Sequence, residues 1–167
     1  MADAALKTDH VQLKPKTGMT ADARTTIAHK LSVALANSYL LFIKTQGVHW
    51  NVTGPSFYGL HKLTEAQYEN LYEAIDVLAE RIRALGEKAP ATYTRYGELS
   101  SIKDEDEPGS VEDMIAMLIA DHETVVRSMR DAIDPCEEKS DYVTADLLTG
   151  RMAWHEESIW MLRSLLA

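Results

Sequence analysis

The sequence has a single cysteine, Cys136. One thiol cannot close an internal disulfide, which points to a reducing compartment. No other Cys or His stands near it at metal-ligand spacing, so Cys136 reads as a structural thiol rather than a nucleophile. Positive charge is also scarce: 17 Lys and Arg stand against 26 Asp and Glu, a formal net charge of −9. An acidic body repels nucleic acid and anionic membranes and attracts cations. No run approaches the roughly 18 apolar residues that a membrane span needs. The first residues carry Asp3, Lys7 and Asp9 without the apolar stretch of a signal peptide. Strand-like alternation, internal repeats and low-complexity segments are missing too.

What is present is helical periodicity along 167 residues, enough for one domain with one core. Residues 1–19 are polar and poorly periodic and read as a flexible tail. The rest, 20–167, reads as the bundle. Thr20 is an N-cap for a first helix over about 21–48, with Ile27, Leu31, Ala34, Leu35, Ser38 and Leu41 at three- and four-residue steps. Asn51 to Pro55 breaks it, and Ser56 can cap a second helix over about 57–85, stopped by Gly86. A long connection from Glu87 to Gly109 has room for a short helix near Tyr96 to Ser100 and ends in an acidic run, Asp104 to Pro108. Ser110 and Asp113 form a capping-box-like start for a helix over about 111–133, which Asp134-Pro135 would end. A last helix runs from about 139 to the C-terminus. Four long helices with one long crossover predict an all-α, ferritin-like four-helix bundle.

The second helix carries the chemistry. At about 100° per residue, with His61 as zero, Leu60, Leu63, Leu71, Ile75, Leu78, Ile82 and Leu85 fall between about −160° and −40°. That stripe faces the core. His61, Glu65, Asp76 and Glu80 fall between about 0° and +100° and face elsewhere. In a di-iron bundle the ligands point inward, with Glu-x-x-His on two helices. No histidine here has a Glu three residues before it, so a metal site inside the bundle is not expected. His61 and Asp76 are also about 22 Å apart along a helix, too far to hold one ion from one chain. A second copy running antiparallel across a two-fold axis would bring His61 and Glu65 of one chain to Asp76 and Glu80 of the other. Imidazole with carboxylates suits iron or another divalent first-row metal. From the pattern alone, such a stripe is more usually the solvated face of an amphipathic helix. His49 adds one more ligand type nearby, and by spacing alone it is as good a surface or core histidine as a ligand.

The segment His49-Trp50-Asn51-Val52-Thr53-Gly54-Pro55-Ser56-Phe57-Tyr58-Gly59-Leu60-His61, followed by Asp76-Val77-Leu78-Ala79-Glu80-Arg81-Ile82 and Leu85-Gly86, closely resembles the signature of the Dps family. These mini-ferritins take their name from DNA-binding proteins of starved cells. Looser likeness extends to Thr144 to Thr149 and to His155-Glu156. The resemblance implies a cytoplasmic, hollow homo-dodecamer with ferroxidase sites at two-fold interfaces. Those sites would oxidise Fe(II), typically with hydrogen peroxide, and ferric oxide would be stored inside. It implies His49, His61 and Glu65 as ligands from one chain and Asp76 and Glu80 from its partner. The sequence leaves iron and zinc both open as the resting metal. Glu65 departs from the Asp more common there, adding a methylene but keeping charge and spacing. Trp50 is a candidate quencher of stray oxidising equivalents, or simply an interface residue. Asp141 and Asp146 are candidates for a cation inlet near a three-fold axis, or simply acids favoured at a helix N-terminus. DNA binding in the family often depends on lysine-rich tails. Here Lys7, Lys14 and Lys16 stand against Asp3 and Asp9 on a strongly acidic body, a thin excess for phosphate binding.

Overall fold

A computed structural model describes residues 14–104 and 109–167, and every regular element in them is helical. In chain order these are α1 (Ala21–Asn51), α2 (Phe57–Ala84), α3 (Tyr93–Leu99), α4 (Val111–Glu138) and α5 (Tyr142–Ser164). Most of the expected tail, and most of the acidic run ending at Pro108, lie outside the described residues.

The helix starts follow from local chemistry. Thr20 Oγ1 accepts from the Ala23 N–H at 3.2 Å. Ser110 and Asp113 make a reciprocal capping box, with bonds of 3.1 and 2.9 Å. Gly86, at φ +93°, closes α2, its N–H donating to Arg83 O. Several sequence expectations need correction. Ser56 precedes α2 but makes no side-chain cap, because its backbone is already in the helical region. The first helix continues to Asn51, three residues past the expected end, carrying His49 and Trp50 in its last turns. The short helix lies at Tyr93–Leu99, capped by Thr92, rather than at 96–100.

The last correction concerns Pro135, which sits inside α4 instead of ending it. The carbonyl deprived of a donor belongs to Asp131, an exposed residue, so water can replace the missing bond. Termination comes later, at Ser140 in the left-handed region, with Asp141 N–H donating to Cys136 O at 2.8 Å. Accordingly α5 starts at Tyr142 rather than 139, with Asp141 as its N-cap.

Short loops join α1 to α2 and α4 to α5. α1 also packs on α4, while α2 and α5 barely meet. Leucines 31, 35, 71, 78, 118 and 148 are fully buried at the centre. Contrary to the expectation from unbroken apolar runs, one stretch of α1 is long and apolar enough on average to cross a membrane, yet 56% of it is buried in the bundle, as befits a core helix. Buried Asn37 fastens the crossover. Its Oδ1 accepts from Ser100 Oγ and Ser101 N–H at 2.9 and 2.7 Å, and its Nδ2 donates to Ser128 Oγ at 3.0 Å. Tyr96 on α3 stacks on Tyr39 of α1, ring centroids 4.7 Å apart.

Candidate metal centre

The tight turn after α1 brings His49, in the last turn of one helix, onto His61, in the second turn of the next. Gly54 at φ +87° reverses the chain there, a conformation that an L side chain would strain. The imidazoles stack with centroids 3.8 Å apart and planes at 15°. His49 Nδ1 lies 2.9 Å from the His61 carbonyl, and His61 Nδ1 lies 2.9 Å from the His49 carbonyl. A carbonyl oxygen only accepts, so each Nδ1 must carry the proton. Each Nε2 therefore presents a lone pair. This is how metal-binding imidazoles are oriented, with the far nitrogen held by a backbone oxygen. Phe57 stacks on His61, and Tyr68 meets His49 edge-on. His49 is buried and His61 half-buried.

Glu65 follows His61 by one turn. Its Oε2 pairs with Lys62 Nζ at 2.5 Å. That hydrogen bond holds the Glu65 carboxyl below its usual range against the opposing effect of burial, and the Lys62 charge adds to it. Asp76 and Glu80 are exposed at the far part of α2. Asp76 lines an open groove with Tyr39, Phe42 and Tyr72. Leu60, Leu71, Leu78 and Ile82 are fully buried on the opposite stripe, as the angular reading requires. Among the described residues, no three His, Cys, Asp or Glu side chains converge closely enough to hold a metal ion. The chain thus presents two separate donor groups: a paired imidazole end with Glu65, and an exposed carboxylate end.

The remaining candidates divide. Trp50 is 67% exposed beside the imidazole pair. Asp146 is exposed, but Asp141 is buried and engaged. Its Oδ1 accepts from Arg81 Nη2 at 2.7 Å and from the Thr144 N–H at 3.1 Å, which starts α5 and ties it to α2. Sequence reasoning passed over Tyr68 and quoted Phe57 and Arg81 only within the signature, with no role for either. The signal for Tyr68 was available: seven residues after His61, it falls at about −20° on the same face.

The ferritin-like domain family matches residues 28–167. A DNA protection during starvation protein 2 of Bacillus anthracis is 35% identical over 136 residues, covering 81% of this chain and 93% of that one. The chain belongs to the Dps family of ferritin-like proteins. An uncharacterised low temperature-induced protein of Nostoc sp. is 43% identical over 152 residues, covering 89% of this Dps chain and 84% of its own length. The crystal structure of a Dps protein from Vibrio cholerae superposes with a TM-score of 0.87 at 27% identity, over 92% of this chain and 97% of that one. That protein is described as a member of a broad superfamily of ferritin-like diiron-carboxylate proteins.

Proposed function

We propose that this Dps chain is a ferroxidase subunit that binds Fe(II) at sites shared between two copies and stores the ferric product in a hollow dodecamer. His49, His61 and Glu65 of one chain would meet Asp76 and Glu80 of a second chain across a two-fold axis. One observation carries the reading. Backbone carbonyls clamp His49 and His61 so that both Nε2 lone pairs are bare, and the carboxylates needed to complete a coordination set stand about 22 Å along the same helix.

Iron is the substrate. Two Fe(II) each lose one electron to one hydrogen peroxide, whose O–O bond breaks. With water, the products are ferric oxyhydroxide and protons. Carboxylate oxygens favour the more highly charged ferric ion, while the imidazoles hold the ferrous one. Removing iron and peroxide together would protect DNA without contact, consistent with the name of the Bacillus anthracis relative. Direct DNA binding is disfavoured by the net charge of −9. Zinc shares these ligand preferences and would compete for the site at rest. Trp50 would intercept stray oxidising equivalents, and exposed Asp146 would contribute to a cation inlet. A cytoplasmic location fits the single buried thiol.

The test is His49→Gly with His61→Gly. Peroxide-dependent oxidation of Fe(II) should lose its fast phase, while the protein still elutes at the size of the parent shell. Unchanged oxidation kinetics would remove His49 and His61 from the site, and a native protein running as a monomer would rule out sharing.

A further inference from the structure

The middle of the bundle is polar where a helical core is ordinarily apolar. His122 on α4 and His155 on α5 are fully buried, and their Nδ1 atoms lie 2.9 Å apart. Two neutral imidazoles share such a bond only if one ring donates and the other accepts. The donor ring then has a bare Nε2, the acceptor ring a protonated one, and neither Nε2 has a partner among the described residues. Gln67 on α2, only 2% exposed, has both amide atoms unpartnered. Ser158, one turn beyond His155, is unpartnered at Oγ. Arg151, one turn before His155, donates from Nη1 to Asn70 Oδ1 at 2.7 Å and lies 4.5 Å over the Trp154 ring. Its Nε and Nη2 are buried without partners. Buried polar atoms left unpaired are rare in folded proteins. The Arg81–Asp141 and Asn70–Arg151 bonds set α2 antiparallel to α5, a register that puts Gln67 level with His155.

Their arrangement has the layout of a cation cage. In di-iron bundles, two of the helices each offer an inward pair at i and i+3. Gln67 and Asn70 stand in that relation on α2, His155 and Ser158 on α5, and His122 meets His155 from α4. The difference is in charge. No carboxylate is among these side chains, and a guanidinium is already inside. Burial first, and Arg151 next, lower the His122 imidazole to about 3. The Arg151 charge, which opposes a proton there, opposes a dication about twice as strongly at the same distance.

We propose that this cluster is a divalent-cation site held shut by Arg151. Once the guanidinium charge is removed, His122, His155 and Gln67 would take a borderline first-row ion such as Co2+ or Zn2+. At metal–nitrogen distances of about 2.0–2.1 Å in tetrahedral geometry, the two Nδ1 atoms would need to part by roughly 0.4 Å. The shared proton moves to the bare Nε2 of the donor ring, so both imidazoles stay neutral and no proton is released. In the native chain, Arg151 thereby keeps metal out of the bundle and leaves the interface as the place where it binds.

The test is Co2+ titration of the full-length, assembled protein carrying His49→Gly and His61→Gly, with and without a change at Arg151. Arg151→Met and Arg151→Gln should each gain about one Co2+ per chain over the parent, with intense visible absorption of tetrahedral type. Adding His155→Ala should abolish the gain. Equal Co2+ uptake by the parent and both Arg151 variants overturns the proposal and leaves the cluster as a hydrated polar core. So does a failure of both variants to fold that Zn2+ during refolding does not reverse, since Arg151 would then be a structural requirement. Because the interface imidazoles are absent throughout, a negative result here leaves the shared-site reading standing.

Discussion

Two inactive variants should restore each other. Take one chain lacking the imidazole end, His49→Gly with His61→Gly, and another lacking the carboxylate end, Asp76→Asn with Glu80→Gln. The amide replacements keep the side-chain shapes, so the surface that a partner covers is preserved. Each variant alone destroys one half of every shared site. Assembled at random from equal amounts, a given site draws each of its two halves independently, so about one quarter of the sites are intact. The separation of about 22 Å along a rigid helix prevents one chain from supplying both halves, however its side chains turn. The assay is the initial rate of peroxide-dependent Fe(II) oxidation per chain, after the variants are unfolded together and refolded. Recovery to about a quarter of the native rate is expected. Zero recovery in a shell that native mass spectrometry shows to contain both variants would refute the reasoning, because each site would then be built from one chain.

Two further outcomes bear on how the site is held. Arg81→Met should cost about 3–5 kcal/mol in urea unfolding, because it leaves the Asp141 carboxylate buried without its cation, and Asp141→Asn in the same chain should recover part of the loss. If Asp141→Asn alone is nearly neutral for stability but slows iron uptake, the inlet reading of Asp141 prevails over the structural one. Acid should destabilise the bundle through His122 and His155, which burial keeps neutral. The unfolded chain protonates His122 below about 6.5, while the folded chain resists until about 3. Its contribution is therefore complete above pH 6.5 and declines toward pH 3, by about 1.4 kcal/mol per unit. Unfolding midpoints measured from pH 7 to pH 4 should show the decline, and His122→Gln with His155→Gln should flatten it. A flat native profile would mean that the pair is solvated.

The amphipathic stripe of α2 was legible because helical angle alone separates Leu71 and Leu78 from Asp76 and Glu80. The capping box at Ser110 and the stop at Gly86 were legible because they are local. The His49–His61 stack was not. It needs the turn at Gly54 to lay one helix end on the next, and spacing left His49 open until the family resemblance supplied it. Pro135 misled because its cost depends on whether the orphaned carbonyl reaches water, which only the burial of Asp131 decides. The interior cluster was hidden for another reason. The buried positions of α5 run Thr144, Leu148, Met152, His155, Ser158 and Leu162, so its polar members sit on the core stripe itself. A search for Glu-x-x-His motifs passes over them.

The two ends of α2 differ in how far folding prepares them. At the imidazole end, the bonds that fasten α1 to α2 are the same bonds that fix the His tautomers, so the donor atoms are oriented before any metal arrives. Little further ordering is left for the ion to impose there. Asp76 and Glu80 stand exposed and keep their rotamer freedom until another surface restricts it. Association of two chains would do for the carboxylates what the Gly54 turn does for the imidazoles. Metal affinity should then depend on assembly chiefly through the carboxylate half, and disrupting the two-fold contact should weaken binding while leaving the His49–His61 stack unchanged.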